Sequence, residues 1–273
     1  PVAPTIAIFM GNVFTFSVLN NKNSFFMKEC CLIPLFCLLM ISLRSQVTED
    51  FSDGNFTENP EWSGDTQSFI VNDDTTLQLS AGGAGTYCLY TSNSLCDSTE
   101  WIITARLKFS PSSNNNARIW LMTDSKNPET ANGYFLQLGE SGGEDVPELF
   151  CCENGNNTSV CRCSGPDISS SSLYTYRIIR TKYGFWNVGI INENNVYEEC
   201  GAGFNDLFSE TAWFGIQCNC TSSNADNFYF DDILIRNTYY DTEPPEAWDA
   251  KPCGADKIQI FFSEPIETET AQE

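Results

Sequence analysis

The stretch of sequence that is most informative about the fold is Trp101-Ile-Ile-Thr-Ala-Arg-Leu-Lys-Phe109. Apolar residues occupy every second position of this run from Trp101 to Phe109, and the positions between them include Thr104, Arg106 and Lys108. Successive side chains of a β-strand point to opposite faces, so a period of two predicts a strand with one face in a hydrophobic core.

Similar short runs occur on both sides of this stretch, separated by turns rich in Asn, Gly and Ser. The predicted strands are Phe69–Asn72, Thr76–Ala81, Arg118–Thr123, Tyr134–Leu138, Glu148–Cys152, Tyr174–Thr181, Phe185–Ile191, Val196–Cys200, Trp213–Cys218 and Phe228–Ile235. No window sustains the 3.6-residue period of a helix. Residues 46–240 are therefore predicted to form one all-β domain, a two-sheet antiparallel β-sandwich.

The composition excludes several classes of function. The chain has 36 Asp and Glu against 14 Lys and Arg, a formal net charge of −22. Such a surface repels phosphate backbones, so nucleic acid is not an expected partner. There are 0 histidines, which rules out Ser-His-Asp and Cys-His catalysis and any acid–base role for imidazole. We therefore predict that the protein is not an enzyme.

The N-terminal part of the chain contains a candidate export signal. Met27 and Lys28 precede a short apolar run that ends near Ile41, which is typical of a secretory signal and too short to span a membrane. We predict a signal peptide at residues 27–45, a secreted or cell-surface protein, and no membrane span once the signal is removed. Residues 1–26 show no periodicity and are interpreted as a non-native read-through leader.

The C-terminal part is predicted to begin a second domain. The paired Pro244 and Pro245 stiffen the connection and remove two backbone donors, which suits a spacer between domains. A strand is predicted at 257–262, yet so short a segment cannot close a core by itself. Residues 241–273 are therefore interpreted as a linker and the truncated start of another domain, with further domains downstream.

Cysteines are numerous for a chain of this size. Of the 13 cysteines, three lie in the predicted signal, and export makes disulfides the expected state of the rest. The pairings that remain open are Cys151 and Cys152 with Cys161 and Cys163 across a hairpin, Cys88 with Cys96, and Cys200 with Cys218 or Cys220. The alternative is a zinc site formed by Cys161, Cys163, Cys218 and Cys220.

Five motifs carry a family resemblance over roughly residues 47–237. They are Asp50-Phe-Ser-Asp-Gly-Asn-Phe56, Asn59-Pro-Glu-Trp-Ser-Gly-Asp65, Phe109-Ser-Pro-Ser-Ser-Asn-Asn115, Asn132-Gly-Tyr-Phe-Leu136 and Phe228-Tyr-Phe-Asp-Asp232. Together they resemble a jelly-roll domain of secreted bacterial surface proteins that also carry lamin-tail-like or gliding-associated domains. The resemblance implies a concanavalin A-like, laminin-G-like fold. The segment around Pro244 and Pro265 is similar to the start of a surface-layer immunoglobulin-like repeat.

Calcium is the first candidate ligand. Asp50 and Asp53 lie near the first strand of the domain, and Asp231 and Asp232 lie on its last strand. If the terminal strands pair, the four carboxylates converge and could supply oxygen ligands to a structural Ca²⁺ ion. The other interpretation is a turn and a solvated strand end.

Sugar is the second candidate ligand. A polysaccharide site needs exposed flat rings and polar groups for the hydroxyls, and the candidate rings are Trp62, Trp120 and Trp186. We therefore predict a non-catalytic extracellular binding or adhesion module that recognises a polysaccharide or surface glycan. The alternatives are a structural spacer without a ligand and, with less support, a relative of sandwich glycoside hydrolases. The nearest acidic cluster, Glu144 to Glu148, lacks the strand alternation that such hydrolases need.

Overall fold

The computed structural model describes residues 46–238 apart from 141, 143 and 171, together with the backbone of four strands near the chain ends. The predicted signal at 27–45 lies outside the described residues. The chain divides into two compact units, Ile41–Tyr239 and a second made of Pro1–Met40 and Tyr240–Glu273. No helix within the described part of the chain is long and apolar enough to cross a membrane.

The unit formed by the chain ends contains a four-stranded antiparallel sheet. With strands numbered along the chain, its members are β1 (Thr5–Ile6), β2 (Val13–Ser17), β18 (Ala247–Pro252) and β19 (Lys257–Phe262). Their order in the sheet is β1-β2-β19-β18. Strand β2 of the predicted leader thus pairs with β19 of the predicted second domain.

The other unit is a sandwich whose first sheet has seven strands in the order β12-β11-β10-β9-β16-β7-β4. These strands are β4 (Trp62–Gly64), β7 (Gly85–Ser92), β9 (Asn116–Thr123), β10 (Gly133–Leu138), β11 (Glu148–Glu153), β12 (Asn156–Arg162) and β16 (Trp213–Cys220). Every pairing among them is antiparallel.

The second sheet has eight strands in the order β15-β14-β13-β8-β17-β6-β5, and β3 pairs separately with β17. They are β3 (Val47–Glu49), β5 (Phe69–Val71), β6 (Leu77–Leu79), β8 (Thr99–Leu107), β13 (Tyr174–Arg180), β14 (Phe185–Ile191), β15 (Tyr197–Phe204) and β17 (Phe228–Asn237). Two short 3₁₀ helices, Thr66–Ser68 and Ser222–Asn224, lie in loops. The predicted two-sheet antiparallel sandwich is confirmed.

The alternation that identified β8 reflects its place in the core. Trp101, Ile103, Ala105 and Leu107 are buried, and the ring of Trp101 stacks on that of Trp186 with 5.8 Å between centroids. Strand β7 was not predicted, because its residues from Cys88 to Thr91 are buried in succession. Both faces of that strand are covered, so its sequence lacks a period of two.

Strand β17 accepts two partners along one edge. Tyr229 and Phe230 pair with β6, whereas Ile233 to Ile235 pair with β3. The ladder between β17 and β8 shifts register after Asp231, and Asp232 has a positive φ of 49°. A bulge adds twist and bends a strand. The bulge in β17 therefore lies between the part that pairs with β6 and the part that pairs with β3. The first and last strands of the domain therefore pair, as expected from the sequence.

One disulfide joins the two sheets at one edge of the sandwich. It links Cys163, directly after β12, to Cys200 on β15, and Ser164 N donates to Cys200 O at 2.9 Å. These strands are the terminal members of their sheets. A Cβ atom at position 203 would lie only 2.3 Å from Val160 O. Glycine at this position therefore permits β15 and β12 to approach each other closely.

The predicted disulfide pairings were wrong, because register decides which thiols meet. In the β11–β12 hairpin, Cys151 lies opposite Thr158 and Cys152 opposite Asn157, so neither faces a cysteine. Cys218 and Cys220 lie on β16 of the seven-stranded sheet, whereas Cys200 lies on β15 at the edge of the other sheet. Cys218, Cys220 and Cys88 are free thiols.

The alternative zinc site was also wrong, since Cys163 is already bonded to Cys200. Among the described residues, no group of three or more Cys, Asp or Glu side chains could hold a metal ion.

Candidate functional site

The candidate site lies on the outer face of the seven-stranded sheet, defined as the side chains that point away from the sandwich core. Its floor is a second buried cluster, separate from the main core, that includes Tyr90, Trp120 and Phe135. Phe135 contacts Trp120 at 4.8 Å and stacks on Phe150 at 5.4 Å between centroids. An exposed sheet face is usually polar, so a buried aromatic floor indicates that something covers it.

The loop between β9 and β10, residues 124–132, covers part of this floor. Asp124 closes the base of the loop by accepting hydrogen bonds from Asn132 N and Nδ2, both at 2.8 Å. Asn132 Oδ1 accepts in turn from Asn154 N of the next hairpin. Ala131 packs into the aromatic cluster, and its carbonyl accepts from Cys152 Sγ at 3.3 Å. Local hydrogen bonds thus hold the loop against the sheet.

Amide side chains form a connected row beside the aromatic floor. Trp120 Nε1 donates to Gln217 Oε1 at 3.0 Å, and Gln217 Nε2 donates to Asn219 Oδ1 at 3.3 Å. Asn219 continues the row by donating to Asn116 Oδ1 at 2.8 Å and accepting from Thr86 Oγ1 at 2.8 Å. The row is satisfied within the protein; Gln217 and Asn116 are buried, and Asn219 is partly exposed.

An open cavity of about 740 Å³ lies over this part of the outer face. Its lining combines amides, acids and bases, among them Asp65, Arg118, Lys126, Glu129, Asn157 and Gln217. Asp65 Oδ2 accepts from Cys88 N at 2.8 Å. Asn157 is exposed. Ligand sites typically contain a few convergent polar groups, and this cavity has them, whereas the apolar side chains in its lining are those of Cys88 and Pro128.

Lys126 forms one wall of the cavity. Its Nζ lies 3.8 Å from the centroid of the Trp213 ring and donates to Ser63 Oγ at 2.6 Å. The same three residues line a neighbouring cavity of about 920 Å³ between β4, β7 and β16. Lys126 therefore lies at the boundary of two open cavities, fixed by one hydrogen bond and one cation–π contact.

Arg118 lies on β9 between the amide row and the aromatic floor. Its Nε donates to Gln137 Oε1 at 3.2 Å, and its guanidinium carbon lies 4.6 Å from the centroid of the Phe135 ring. Burial lowers the pKa of Arg118 from its ordinary value, partly opposed by the neighbouring thiols of Cys152 and Cys88. Desolvation disfavours the charged form, so this cation is partly removed from water.

The three tryptophans predicted as sugar platforms lie inside the protein. Trp62, Trp120 and Trp186 are exposed by 2%, 0% and 1%. Trp62 packs against Phe214 in the core, and Trp186 stacks on Trp101. Only Trp120 belongs to the outer face, and it lies beneath the surface. None of these rings presents a face on which a pyranose could stack, because each fills a space between strands.

The four predicted calcium ligands are only partly brought together. Burial, and then the nearby charges of Asp232 and Asp50, raise the pKa of Asp231. Asp50 and Asp53, however, bind locally, accepting from Ser52 N at 3.1 Å and Asn55 N at 3.0 Å. The first and last strands, β3 and β17, do pair as expected. In this conformation, however, the four carboxylates do not form a group that could hold a metal ion.

The predicted acidic cluster forms structural contacts. Glu148 pairs with Arg162 at 2.7 Å, and Glu140 pairs with the same guanidinium. That arginine lowers the pKa of Glu140 by hydrogen bonding. Asp145 Oδ1 accepts from Glu140 N at 3.1 Å. These contacts hold the loop before β11 and leave no pair of carboxylates facing each other across an open cavity within the cluster.

Comparison with solved structures places the fold among lectin-like sandwich domains. The chain is similar to the carbohydrate recognition domain of Emp47p, with 14% identity, a TM-score of 0.54, and coverage of 72% of this chain and 96% of that domain. It is also similar to the metal-free carbohydrate recognition domain of Emp46p, with 11% identity, a TM-score of 0.55, and coverage of 71% and 97%.

A third similar structure is the exoplasmic/lumenal domain of VIP36 with Ca²⁺ and Man₃GlcNAc bound. The two sequences are 10% identical, and the structures superpose with a TM-score of 0.54. The match covers 74% of this chain and 92% of that domain. No family model matches the sequence, and no curated protein matches it either. At these identities the likeness establishes a concanavalin A-like fold.

Sequence reasoning missed the residues that line the cavity. Arg118 is an ordinary arginine on a predicted strand, and Asp65 and Asn157 lie outside the predicted strands. Strands β4, β7, β9, β12 and β16 bring these side chains together from positions far apart in sequence. The available signal was the absence of strict alternation around Cys88 and Trp120, which indicates a sheet covered on both faces.

Proposed function

We propose that this protein is a non-catalytic glycan-binding module whose site is the cavity on the outer face of the seven-stranded sheet. The observation that carries the proposal is the convergence of amide, acidic and basic side chains at that cavity, including Asp65, Arg118 and Asn157. Sugars present hydroxyls that pair with amides and carboxylates. The structurally similar proteins include carbohydrate recognition domains and one complex with a mannose oligosaccharide, which supports the same class of ligand.

One feature supports binding over hydrolysis. Glu148, in the acidic cluster before β11, pairs with Arg162, and so does the neighbouring Glu140. Glycoside hydrolysis requires two carboxylates across a cleft, one acting as an acid and the other as a base or nucleophile. The hydrolase alternative therefore lacks support from the geometry of that cluster, and a non-catalytic module is the better proposal.

The cellular setting in the proposal comes from the sequence. The predicted signal at 27–45, the acidic surface and the bacterial surface-protein resemblance favour an exported module on a cell surface, followed by an immunoglobulin-like repeat. The lumenal or exoplasmic location of the VIP36 domain is consistent with export, as is the Cys163–Cys200 disulfide.

A glycan array probed with the intact chain tests the proposal. We expect binding to at least one class of oligosaccharide, weakened about tenfold or more by Asn157→Ala, because this exposed amide lies at the cavity and contributes no described intramolecular hydrogen bond. The matched control is Asn194→Ala, an exposed asparagine in the turn after β14, which should bind like the parent. A structural spacer would bind no glycan, and release of reducing sugar would instead support a hydrolase.

A further inference from the structure

The outer face contains a cation that the protein does not neutralise. Arg162, Arg177, Arg180 and Arg236 each form an ion pair with a carboxylate. Among the residues that the structure describes, no carboxylate pairs with Arg118, although the chain as a whole has a net charge of −22. Arg106 also forms no ion pair among the described residues, but Arg118 differs from it in lining the cavity, so its charge is available for a ligand there.

The guanidinium of Arg118 is held in a defined orientation. Gln137 Oε1 accepts a hydrogen bond from Arg118 Nε. The guanidinium carbon lies 4.6 Å from the centroid of the Phe135 ring. The described hydrogen bonds of Arg118 use Nε alone, so the two terminal nitrogens are left for a ligand in the cavity that this residue lines. Two parallel N–H groups match the geometry of a carboxylate.

Partial burial of this cation has an energetic consequence. Removing a guanidinium from water without a partner is unfavourable, and burial lowers the pKa of Arg118 accordingly. An arriving anion would meet a donor that is already partly desolvated and oriented, so less reorganisation is needed. Four of the six described arginines have an acidic partner, and of the two that do not, Arg118 lines the cavity.

The other charged residues at the cavity indicate which anions could bind there. Lys126 adds a second positive charge, whereas Asp65 and Glu129 add two negative ones. A polyanion such as nucleic acid or a heavily sulfated polymer would be repelled by these acids and by the overall charge. A ligand with a single carboxylate and several hydroxyls fits the arrangement, because the amides of Asn157 and Gln217 lie at the same cavity.

We propose that the ligand is an acidic sugar, such as a uronic or sialic acid, and that Arg118 binds its carboxylate through the two terminal nitrogens. This inference rests on the proposed glycan-binding function and specifies its ligand class. Arg118 thereby determines specificity, whereas the amides and Asp65 bind hydroxyls common to neutral and acidic sugars.

The experiment compares each acid with its own neutral form. The intact chain is applied to galacturonate, glucuronate, mannuronate and sialic acid oligosaccharides, each presented beside its methyl ester. We expect at least one acid to bind about tenfold or more tightly than its ester, a difference of about 1.4 kcal/mol. The variant Arg118→Gln should lose that preference while keeping the weaker binding of the ester.

Arg106→Gln is the matched control. Arg106 lies on β8, on the outer side of the other sheet, and is likewise half-buried with an unpaired Nε. It should keep the preference for the acid. The melting temperature of Arg118→Gln gives a second readout, which should equal or exceed that of the parent because an unpaired buried charge is removed.

The experiment distinguishes failure of the role assigned to Arg118 from failure of the proposed glycan-binding function. If neutral sugars and their acids bind equally to the parent, or if Arg118→Gln keeps the preference, the role of Arg118 is wrong and glycan binding stands. If no sugar of either kind binds to the parent, the proposed function fails and the acidic ligand fails with it.

Discussion

Reduction of the Cys163–Cys200 disulfide should destabilise the sandwich substantially. The bond closes a loop between residues 37 positions apart in sequence. Loop-closure entropy for a ring of that size is worth about 4 kcal/mol at 25 °C in the chain-entropy model. The expected loss is large relative to the stability of a typical domain, about 5–15 kcal/mol. The bond also fixes β12 to β15, the terminal strands of the two sheets.

Urea unfolding followed by tryptophan fluorescence measures this loss, because Trp101 and Trp186 are buried in the core. With an m-value of about 2 kcal/mol/M, the midpoint should fall by about 2 M when a phosphine reductant is present. The melting temperature should fall by about 8–16 °C for a domain of this size.

The double variant Cys163→Ser/Cys200→Ser is the control. It should unfold near the midpoint of the reduced parent and should not respond to reductant, since Cys88, Cys151, Cys152, Cys161, Cys218 and Cys220 form no disulfide. A midpoint of the parent that reductant leaves unchanged would refute the reasoning. So would a peptide map that links Cys163 to a cysteine other than Cys200.

Two predictions concern the acidic residues at the bulge of β17. Asp231→Asn should stabilise the protein at neutral pH by about 0.5 kcal/mol, a usual size outside the core, because burial raises the pKa of Asp231. The advantage should disappear on acidification: the parent gains stability as the pH falls through the raised pKa, and the gain is complete below about pH 3.9, the unfolded value. Unfolding midpoints between pH 3 and 7 check the sign, and an advantage that persists at pH 3 contradicts it. The second prediction concerns calcium binding by Asp50, Asp53, Asp231 and Asp232. Millimolar Ca²⁺ should raise the melting temperature of the parent and not that of Asp231→Asn. A melting temperature of the parent that Ca²⁺ leaves unchanged would contradict the calcium prediction.

Much of the fold could be predicted because it depends on local patterns. The alternation from Trp101 to Phe109 predicted β8, and the hairpin expected between Cys152 and Cys161 is present as β11–β12, with its turn at Asn154 and Gly155. Both residues of that turn have a positive φ, which Asn and Gly tolerate best. Strand β7 escaped prediction because both of its faces are covered.

The candidate site was much less predictable. Trp62, Trp120 and Trp186 were chosen as platforms because their rings could stack on sugar, but the same rings fill the interior. Sequence cannot distinguish these roles, since the solvent exposure of an aromatic side chain depends on which strands lie beside it. The cavity residues were missed for the same reason.

The sequence by itself determined the class of architecture, the acidic surface and the absence of imidazole chemistry, because these follow from side-chain period and composition along a single segment. Only the tertiary structure decided that Cys163 bonds to Cys200, that Trp120 lies beneath a loop, and that no described carboxylate pairs with Arg118. Each of these facts is a contact between strands distant in sequence. Such contacts depend on sheet order and register, and a shift of one residue exchanges the two faces of a strand.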